Sequence, residues 1–414
     1  MARMALAQTV SGAAACAGTP VQGSAGDSGS ASATLGTGSS STTAAPVSST
    51  TVEAVSSATV EAVSSATVEA ASSATVEAAS GDRLRLLSGM QPTADSLHLG
   101  NYLGALVNWV HLQESFQAYY FVADLHAITV EQDPAVLRRR TRATAAQFIA
   151  AGLDPERTVI FVQSQVPEHA QLSWVMQCLT GFGEAGRMTQ FKDKSSREGA
   201  ERASVGLFTY PILQAADILL YDAARVPVGE DQRQHLELTR DLAQRFNTRF
   251  GTSFVVPEPH IVKATAKILD LQRPDKQMSK SLGGSGCLFL LDDLKVSAKK
   301  IRSAVTDTGR EVIFDPVGKP GVSNLLTILA ALSGATVTSL EERFAGAGYG
   351  DLKKEVAQAY LGFAEPFQET VQGLLADAER LDDILAEGAR RARGQAAARL
   401  ADVYDRIGFL PVGR

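Results

Sequence analysis

The stretch RLRLLSGMQPTADSLHLGNYLGALVNWV, residues 83–110, decides how the fold is read. RLRLL (83–87) is a short apolar run of strand type, and SGMQPTADS is rich in turn formers. The apolar residues that follow, Leu99, Tyr102, Leu103, Leu106, Val107 and Val110, recur at the spacing of an amphipathic helix. Working outward, the same alternation repeats. AYYFVA (118–123), TVIFVQ (158–163) and RVPV (225–228) read as further strands, separated by helical stretches at about 134–151, 168–180, 207–221 and 231–247. Alternating strands and helices predict an α/β fold, a doubly wound parallel sheet whose ligands sit at the carboxyl ends of its strands.

After about residue 290 the strands stop, and segments 292–304, 322–333, 351–379 and 383–406 carry helical periodicity. We therefore expect an α/β domain over 82–290 and an all-helical domain over 291–414. Residues 1–81 differ from both. They are dominated by Ala, Ser, Thr, Gly and Val, and cannot offset the entropy of ordering, so a disordered tail is expected. Within it TVEAVSSA (51–58) recurs at 59–66, again as TVEAASSA (67–74), and is cut short as TVEAAS (75–80). A period of eight with one or two valines offers no face for stacking, which excludes a solenoid and fits a duplicated spacer.

Charge narrows the function classes. The 414 residues carry 39 basic and 45 acidic side chains. The tail holds one basic residue (Arg3) and five acidic ones (Asp27, Glu53, Glu61, Glu69, Glu77), which leaves 38 against 40 for the remainder. That balance excludes a generally basic nucleic-acid coat and permits a local basic patch. Cys16, Cys178 and Cys287 lie far apart, without zinc or disulfide-framework spacing, which points to a reducing compartment. No stretch approaches 18 uninterrupted apolar residues, and the amino terminus has neither a secretory nor a transit pattern, so no membrane partner is expected.

Two constellations carry chemistry. GMQPTADSLHLGN (89–101) joins a strand to a helix, where free N–H groups and the positive helix end suit a phosphate. Gly100 permits close approach of a nucleotide, and His98 and Asn101 offer donors; capping of the helix by the same two side chains is an equally good reading of the spacing. KQMSKS (276–281) sits in a Gly- and Ser-rich loop, and its two lysines can close over a polyphosphate. On its own such a loop is usually solvated surface.

Taken together, HLGN after a first strand and MSKS on a late loop resemble the two signature motifs of class I aminoacyl-tRNA synthetases, the HIGH/KMSKS type with a Rossmann-like domain. Within that class the chain is similar, from about Leu84 onward, to bacterial-type tryptophanyl-tRNA synthetases. The further matching stretches are SGMQPT (88–93), GNYLGAL (100–106), DLHAITV (124–130), RMTQFKDKS (187–195), TYPILQAADILLY (209–221), VPVGEDQRQHLELTRDLAQRFN (226–247) and KKIRSAV (299–305).

The resemblance implies activation of L-tryptophan with ATP and Mg²⁺ to tryptophanyl adenylate, release of pyrophosphate, and transfer to the 3′ end of tRNA(Trp). It further implies a cytoplasmic homodimer, with a helical dimerisation insertion inside 82–290 and an anticodon-binding function for 291–414, and no protein-bound structural metal. Gln91, Pro92, Thr93, Gly100, Asn101, Gly229, Glu230, Asp231 and Ile268 match ATP-site positions, as does the loop Gln277, Met278, Ser279, Lys280, Ser281. Lys280 is the foremost catalytic candidate, joined by His98, Asn101 and Lys276, and Lys192 and Lys194 match lysines near the phosphate tail. Asp217 matches the carboxylate that accepts the indole N–H, a sensible pairing because indole offers one donor and nothing else. Tyr210 and Gln232 match positions that hold the ammonium and carboxylate end, while Leu87, His126, Val226 and Val228 match pocket-lining positions. His126 reads equally well as a core histidine.

The departures also matter. Ala94, Asp95 and Ser96 stand where many relatives have a glycine and a shorter turn. Gln277 replaces the first lysine of the KMSKS pattern, with Lys276 just before it, and a cation lost beside triphosphate slows activation unless Lys276 reaches in. Gln214 stands where some relatives set a methionine against the indole. Three alternatives stay open on sequence: a tyrosyl specificity, a non-charging paralogue and a nucleotidyltransferase with a HIGH-type motif. Two basic clusters, Lys295, Lys299, Lys300 and Arg302, then Arg390, Arg391, Arg393 and Arg399, read either as RNA-backbone contacts or as solvated helix faces.

Overall fold

The computed structural model describes residues 83–188, 204–229, 232–260, 267–279 and 284–411. The tail expected to be disordered lies outside them. Five strands form one sheet: β1 (Arg85–Met90), β2 (Gln117–Val122), β3 (Val159–Val162), β4 (Arg225–Pro227) and β5 (Glu258–His260). All pair in parallel in the order β3-β2-β1-β4-β5. The chain winds outward from β1 through β2 to β3, then returns to the other side of β1. The order therefore reverses between β1 and β4, and the crevice at their carboxyl ends is the switch point of a doubly wound sheet.

Strand alternation explains why the strands read as unbroken apolar runs. On β2, Ala118, Tyr120 and Val122 enter one core with Leu86, Ile160 and Val162, while Tyr119 and Phe121 enter a second core with Leu87, Val159 and Phe161. Both faces are covered. The first is packed by the helical run α1 (Leu99–Asn101), a π-wound turn Tyr102–Leu106 and α2 (Val107–Leu112). α4 (Pro134–Ala150), which follows the short α3 (Asp124–Ala127), packs the same face. Pro134 opens α4, and the Asp133 carboxylate accepts from the Val136 N–H at 2.8 Å, so that start is capped as its sequence prescribes.

The second face is packed by α5 (Glu168–Leu179), α6 (Phe182–Ala185), α7 (Val205–Leu219) and α8 (Arg233–Phe250). Among the described residues no strand follows β5. The helices there are α9 (Leu294–Arg302), α10 (Pro320–Ser333), α11 (Val337–Arg343), α12 (Tyr349–Ala376) and α13 (Ala378–Ile407). Their apolar faces join the sheet's two cores: Leu352, Val356 and Tyr360 of α12 enter the first, and Ala392, Ala396 and Leu400 of α13 enter the second.

Two elements differ from the sequence reading. β1 runs three residues beyond Leu87, taking Ser88, Gly89 and Met90 out of the expected loop. Gly89 makes this possible, because a β-carbon there would lie 2.6 Å from the Phe121 ring on the neighbouring strand. β5 was not anticipated, since a three-residue edge strand centred on Pro259 has no legible period. Among the described residues no single helix is long and apolar enough to cross a membrane.

Candidate active site

A cavity of about 440 Å³ opens at the switch point. β1 contributes Leu87, Ser88, Gly89 and Met90, the following turn Gln91, and the helix run Asn101 and Ala105. Val226, Pro227 and Val228 close the β4 side, Phe121 and Ala123 the β2 side. Tyr210, Gln214 and Asp217 come from α7 at i, i+4 and i+7, which sets all three on one face of an otherwise apolar helix. His126 and Gln232 complete the wall.

Asp217 is the electrostatic centre of this wall. It is 1% exposed, and its Oδ2 lies 2.8 Å from His126 Nε2. Its Oδ1 accepts from Gln163 Nε2 at 2.8 Å and lies 2.6 Å from His169 Nδ1. Burial opposes ionisation, but hydrogen bonds from His126 and His169 outweigh it and hold the carboxyl at about 2. The result is an ionised acceptor in a cavity whose wall mixes apolar and polar side chains. Two turns earlier on the same face of α7, Tyr210 Oη lies 3.3 Å from His235 Nε2, and His235 Nδ1 lies 3.0 Å from Gln232 Oε1. An amide oxygen only accepts, so His235 donates through Nδ1 and takes the tyrosine proton at Nε2. Burial pushes the Tyr210 phenol up to about 12, which keeps it a donor.

The two signature stretches meet beside the cavity. His98 Nδ1 accepts from the Asn101 N–H at 3.2 Å, and Asn101 Oδ1 accepts from the His98 N–H at 3.1 Å, a reciprocal capping box. The capping reading of this pair is thus the geometry observed. Leu97 O and the Leu99 N–H pair with the Leu290 N–H and Leu288 O at 2.8 Å each, tying the turn to the segment after the lysine loop. That loop begins as a small hairpin in which the Met278 N–H donates to Ile268 O at 3.0 Å and Gln277 bridges Leu269. Met278 is buried, and its Cβ would lie 3.7 Å from a β-carbon on Gly100.

Of the residues singled out on sequence, Leu87, Gln91, Asn101, His126, Tyr210, Gln214, Asp217, Val226, Val228 and Gln232 line the cavity together. Pro92, Thr93, His98, Gly100, Gly229, Ile268, Lys276, Gln277, Met278 and Ser279 are not among its lining residues. Lys192, Lys194, Glu230, Asp231, Lys280 and Ser281 lie outside the described residues. The Lys276 side chain is 61% exposed, with its ammonium 3.7 Å from Asp275. Asp95, in the longer turn, binds Arg139 at 2.9 Å and Arg140 at 3.1 Å, while the buried Ser96 hydroxyl donates to Leu97 O at 2.8 Å and accepts from the Leu291 N–H at 2.9 Å. The departure in sequence is therefore a built tether.

Sequence reading missed the groups behind the wall: Gln163, His169, Tyr221 and His235. Gln163 directly follows β3, and the carboxyl end of a parallel strand is itself a signal. Several residues of the basic clusters turn inward. Lys300 donates to Cys287 O and Asp292 at 2.8 Å each, and Arg391 to Pro155 O and Thr158 O at 2.9 and 3.1 Å, whereas Arg393 stays 58% exposed with its guanidinium 2.9 Å from the buried Glu168. Arg399 is held by Asp222 at 2.7 Å and Asp402 at 3.2 Å. Cys178 is exposed and Cys287 buried, both as free thiols.

Known proteins match this architecture over nearly the whole described part. Residues 79–364 match the family of class I tRNA synthetases for W and Y. The chain is 63% identical over 331 residues to tryptophan–tRNA ligase 2 of Streptomyces avermitilis, covering 80% of this chain and 98% of that one. Among solved structures, tryptophanyl-tRNA synthetase from Mycoplasma pneumoniae superposes with a TM-score of 0.72 at 38% identity, covering 79% and 98% of the two chains. The Campylobacter jejuni enzyme, complexed with ADP and tryptophan, does so at 0.69 and 34%, covering 79% and 100%. With the parallel sheet, its switch-point cavity and the two adjoining signature stretches, these likenesses establish that the chain belongs to the class I tRNA synthetases of the tryptophan and tyrosine family.

Proposed function

We propose that this chain is a tryptophan–tRNA ligase that activates L-tryptophan with ATP, releases pyrophosphate and transfers the tryptophanyl group to tRNA(Trp). The observation that carries the reading is Asp217, an ionised and buried acceptor in the wall of a switch-point cavity to which Leu87, Phe121, Ile218, Val226 and Val228 bring apolar surface. Indole has one N–H donor and an otherwise apolar surface, and a site built to accept that donor rejects a side chain that lacks it.

In this reading Tyr210 and Gln232 hold the amino acid's ammonium and carboxylate end, Leu87, Gln214, Val226 and Val228 pack the ring, and Gln91, Pro92, Thr93, Gly100 and Asn101 take the nucleotide. The first step needs no covalent enzyme intermediate. The amino acid's carboxylate oxygen attacks the α-phosphorus, the bond to the β-phosphate oxygen breaks, and the work of the protein is alignment and charge stabilisation. Lys280, Lys192 and Lys194, with Lys276 as replacement for the absent cation at Gln277, are assigned to the phosphates. Mg²⁺ enters as the ATP complex, neutralising phosphate charge from the nucleotide side; among the described residues no group of three or more His, Cys, Asp or Glu is placed to hold a metal.

The finer expectations belong to the same proposal. The helices after residue 291 are assigned to the anticodon end of the tRNA, and the enzyme to the cytoplasm, where charging serves translation. A homodimer is supported by large apolar side chains that stand in solvent on neighbouring elements: Trp174 (64% exposed), Phe182 (83%) and Val205 (78%). ATP–pyrophosphate exchange with tryptophan, tyrosine or no amino acid tests the reading directly. Exchange with tryptophan alone is expected, and exchange with tyrosine alone would overturn the specificity.

A further inference from the structure

Behind the cavity wall lies a buried polar chain that no step above uses. The two donors to Asp217 Oδ1, Gln163 and His169, are fully buried and do not line the cavity, whereas His126, the partner of Oδ2, does. His169 is engaged at both ring nitrogens: Nδ1 is 2.6 Å from Asp217, and Nε2 is 2.8 Å from the hydroxyl of Tyr221, itself fully buried. A carboxylate only accepts, so Nδ1 carries a proton, and Nε2 faces the Tyr221 hydroxyl with its proton. Burial, followed by the charge of Asp217, pushes the Tyr221 phenol well above its ordinary range, which keeps that proton in place. The contacts thus form one buried line from Tyr221 through His169 to Asp217.

We propose that His169, oriented by Tyr221, is a positioning residue for amino-acid recognition: it pins Asp217 Oδ1 from behind and leaves Oδ2, on the His126 side, as the acceptor for the ring N–H of the substrate. The proposal rests on the tryptophan reading above. It divides the carboxylate into a structural oxygen, with two donors that cannot leave without unsatisfied buried groups, and a working oxygen whose partner stands at the cavity surface. The other titratable groups around the chain are few. Glu168 of α5 is bound by Arg393 at 2.9 Å, the Tyr119 ring of β2 lies tilted 4.9 Å from that of Tyr221, and Tyr210, two turns before Asp217 on α7, pairs with His235. None is placed to substitute for His169 as a donor to Oδ1.

The pH dependence follows from burial. Without His169, Asp217 keeps its desolvation and loses a donor, so its carboxyl rises and protonates as pH falls, and the acceptor is lost from the acid side. The experiment is ATP–pyrophosphate exchange between pH 5.5 and 8.5 with the full-length protein and its His169→Leu, His169→Asn and Tyr221→Phe variants, with the KM for tryptophan as readout. His169→Leu is expected to raise that KM about tenfold at pH 8 and further as pH falls, with kcat and the KM for ATP within about threefold. His169→Asn, whose amide N–H can reach the place of Nδ1, is expected to restore most of the loss and flatten the profile, and Tyr221→Phe to show a smaller effect of the same shape. Equal, pH-independent losses in the Leu and Asn variants, or an unchanged KM in both, would overturn the proposal. The ¹⁵N shifts of the His169 ring in the unaltered protein need neither activity nor substrate: a proton on Nδ1 supports the proposal, and a tautomer with its only proton on Nε2 overturns it. Failure of tryptophan-dependent exchange in the unaltered protein counts against the tryptophan reading, and the ring shifts then still decide the role of His169.

Discussion

Gly388 of α13 lies directly against the backbone of Ile160 in β3: a β-carbon on Gly388 would stand 1.8 Å from the Ile160 carbonyl oxygen. No side chain separates helix from strand at this point. Gly388→Ala therefore cannot be absorbed by a rotamer change and has to push α13 off the sheet. Overpacking of this kind costs about 1–3 kcal/mol, and direct contact with backbone puts the expected loss at the upper end. A fall in melting temperature of several degrees is expected by calorimetry, with the KM for ATP and tryptophan unchanged. An unchanged melting temperature would mean that the helix does not lie so close.

Asp217→Asn keeps the shape of the acceptor but removes its charge and makes one of its atoms a donor. A hydrogen bond to a charged group is worth about 1.5–3 kcal/mol, so the KM for tryptophan is expected to rise by about tenfold to a hundredfold. Discrimination against phenylalanine should fall with it. In the unaltered protein the carboxyl is held at about 2, below its ordinary 3.8, so its contribution is complete above pH 4 and is lost only as pH falls toward 2. Tryptophan affinity measured by isothermal titration from pH 5 to 8 should show no titration from this group, and an acid limb within that range would contradict the assignment.

Lys280→Ala tests the loop whose described part ends at Ser279. Removing a cation from the developing phosphate charge is expected to slow adenylate formation by about a hundredfold or more, while tryptophan binding stays within about twofold. Lys276→Ala should be milder, because that ammonium is exposed and rests near Asp275. Single-turnover formation of the adenylate separates the two effects. A rate for Lys280→Ala equal to that of the parent would remove the loop from catalysis.

Acid stability should respond to a pair remote from the cavity. Arg245, followed by the Gly181 N–H, holds the Glu184 carboxyl at about 2, below its ordinary 4.5. A depressed carboxyl stabilises the folded state above its unfolded pKa, so the contribution is full above about pH 5 and disappears as pH falls through 4 toward 2. Glu184 is 26% exposed at the side chain and Arg245 37%, so solvent screening limits the pair to about 1 kcal/mol. Glu184→Gln should therefore lower urea stability at pH 7 by about that amount, and by clearly less at pH 2.5. The same loss at both values would show that charge is not the cause.

The alternation of apolar runs and helical periods in the sequence was enough to predict the doubly wound sheet, because both faces of β2 and β3 are buried and leave continuous apolar stretches. Boundaries followed less well. β1 extends through Gly89, a residue that reads as a turn, because the Phe121 ring fills the space a side chain would need. The cavity-facing residues of the site lie within motifs and were recognisable there. His169 and Tyr221 were not, because their meaning lies in a contact made across elements: one sits in α5, the other beyond the end of α7, and neither position stands out from an ordinary buried residue. The inward pairing of Arg391 and Arg399 in α13 was hidden for the same reason, since their partners, Pro155, Thr158 and Asp222, are contributed by distant parts of the chain.

The sequential helices α12 and α13 close opposite faces of the same sheet, the first lying on α4 and the second on β3. On a ribosome, where the chain appears from its amino terminus, every strand and the whole cavity wall emerge while each face of the sheet still lacks part of its helical cover. Phe161 and Val159 gain their last apolar cover only when residues near Leu400 have been synthesised. The catalytic half of the molecule is thus made first and sealed last, and a message broken shortly before its stop codon would yield a protein with every substrate-facing residue present and its sheet open to water.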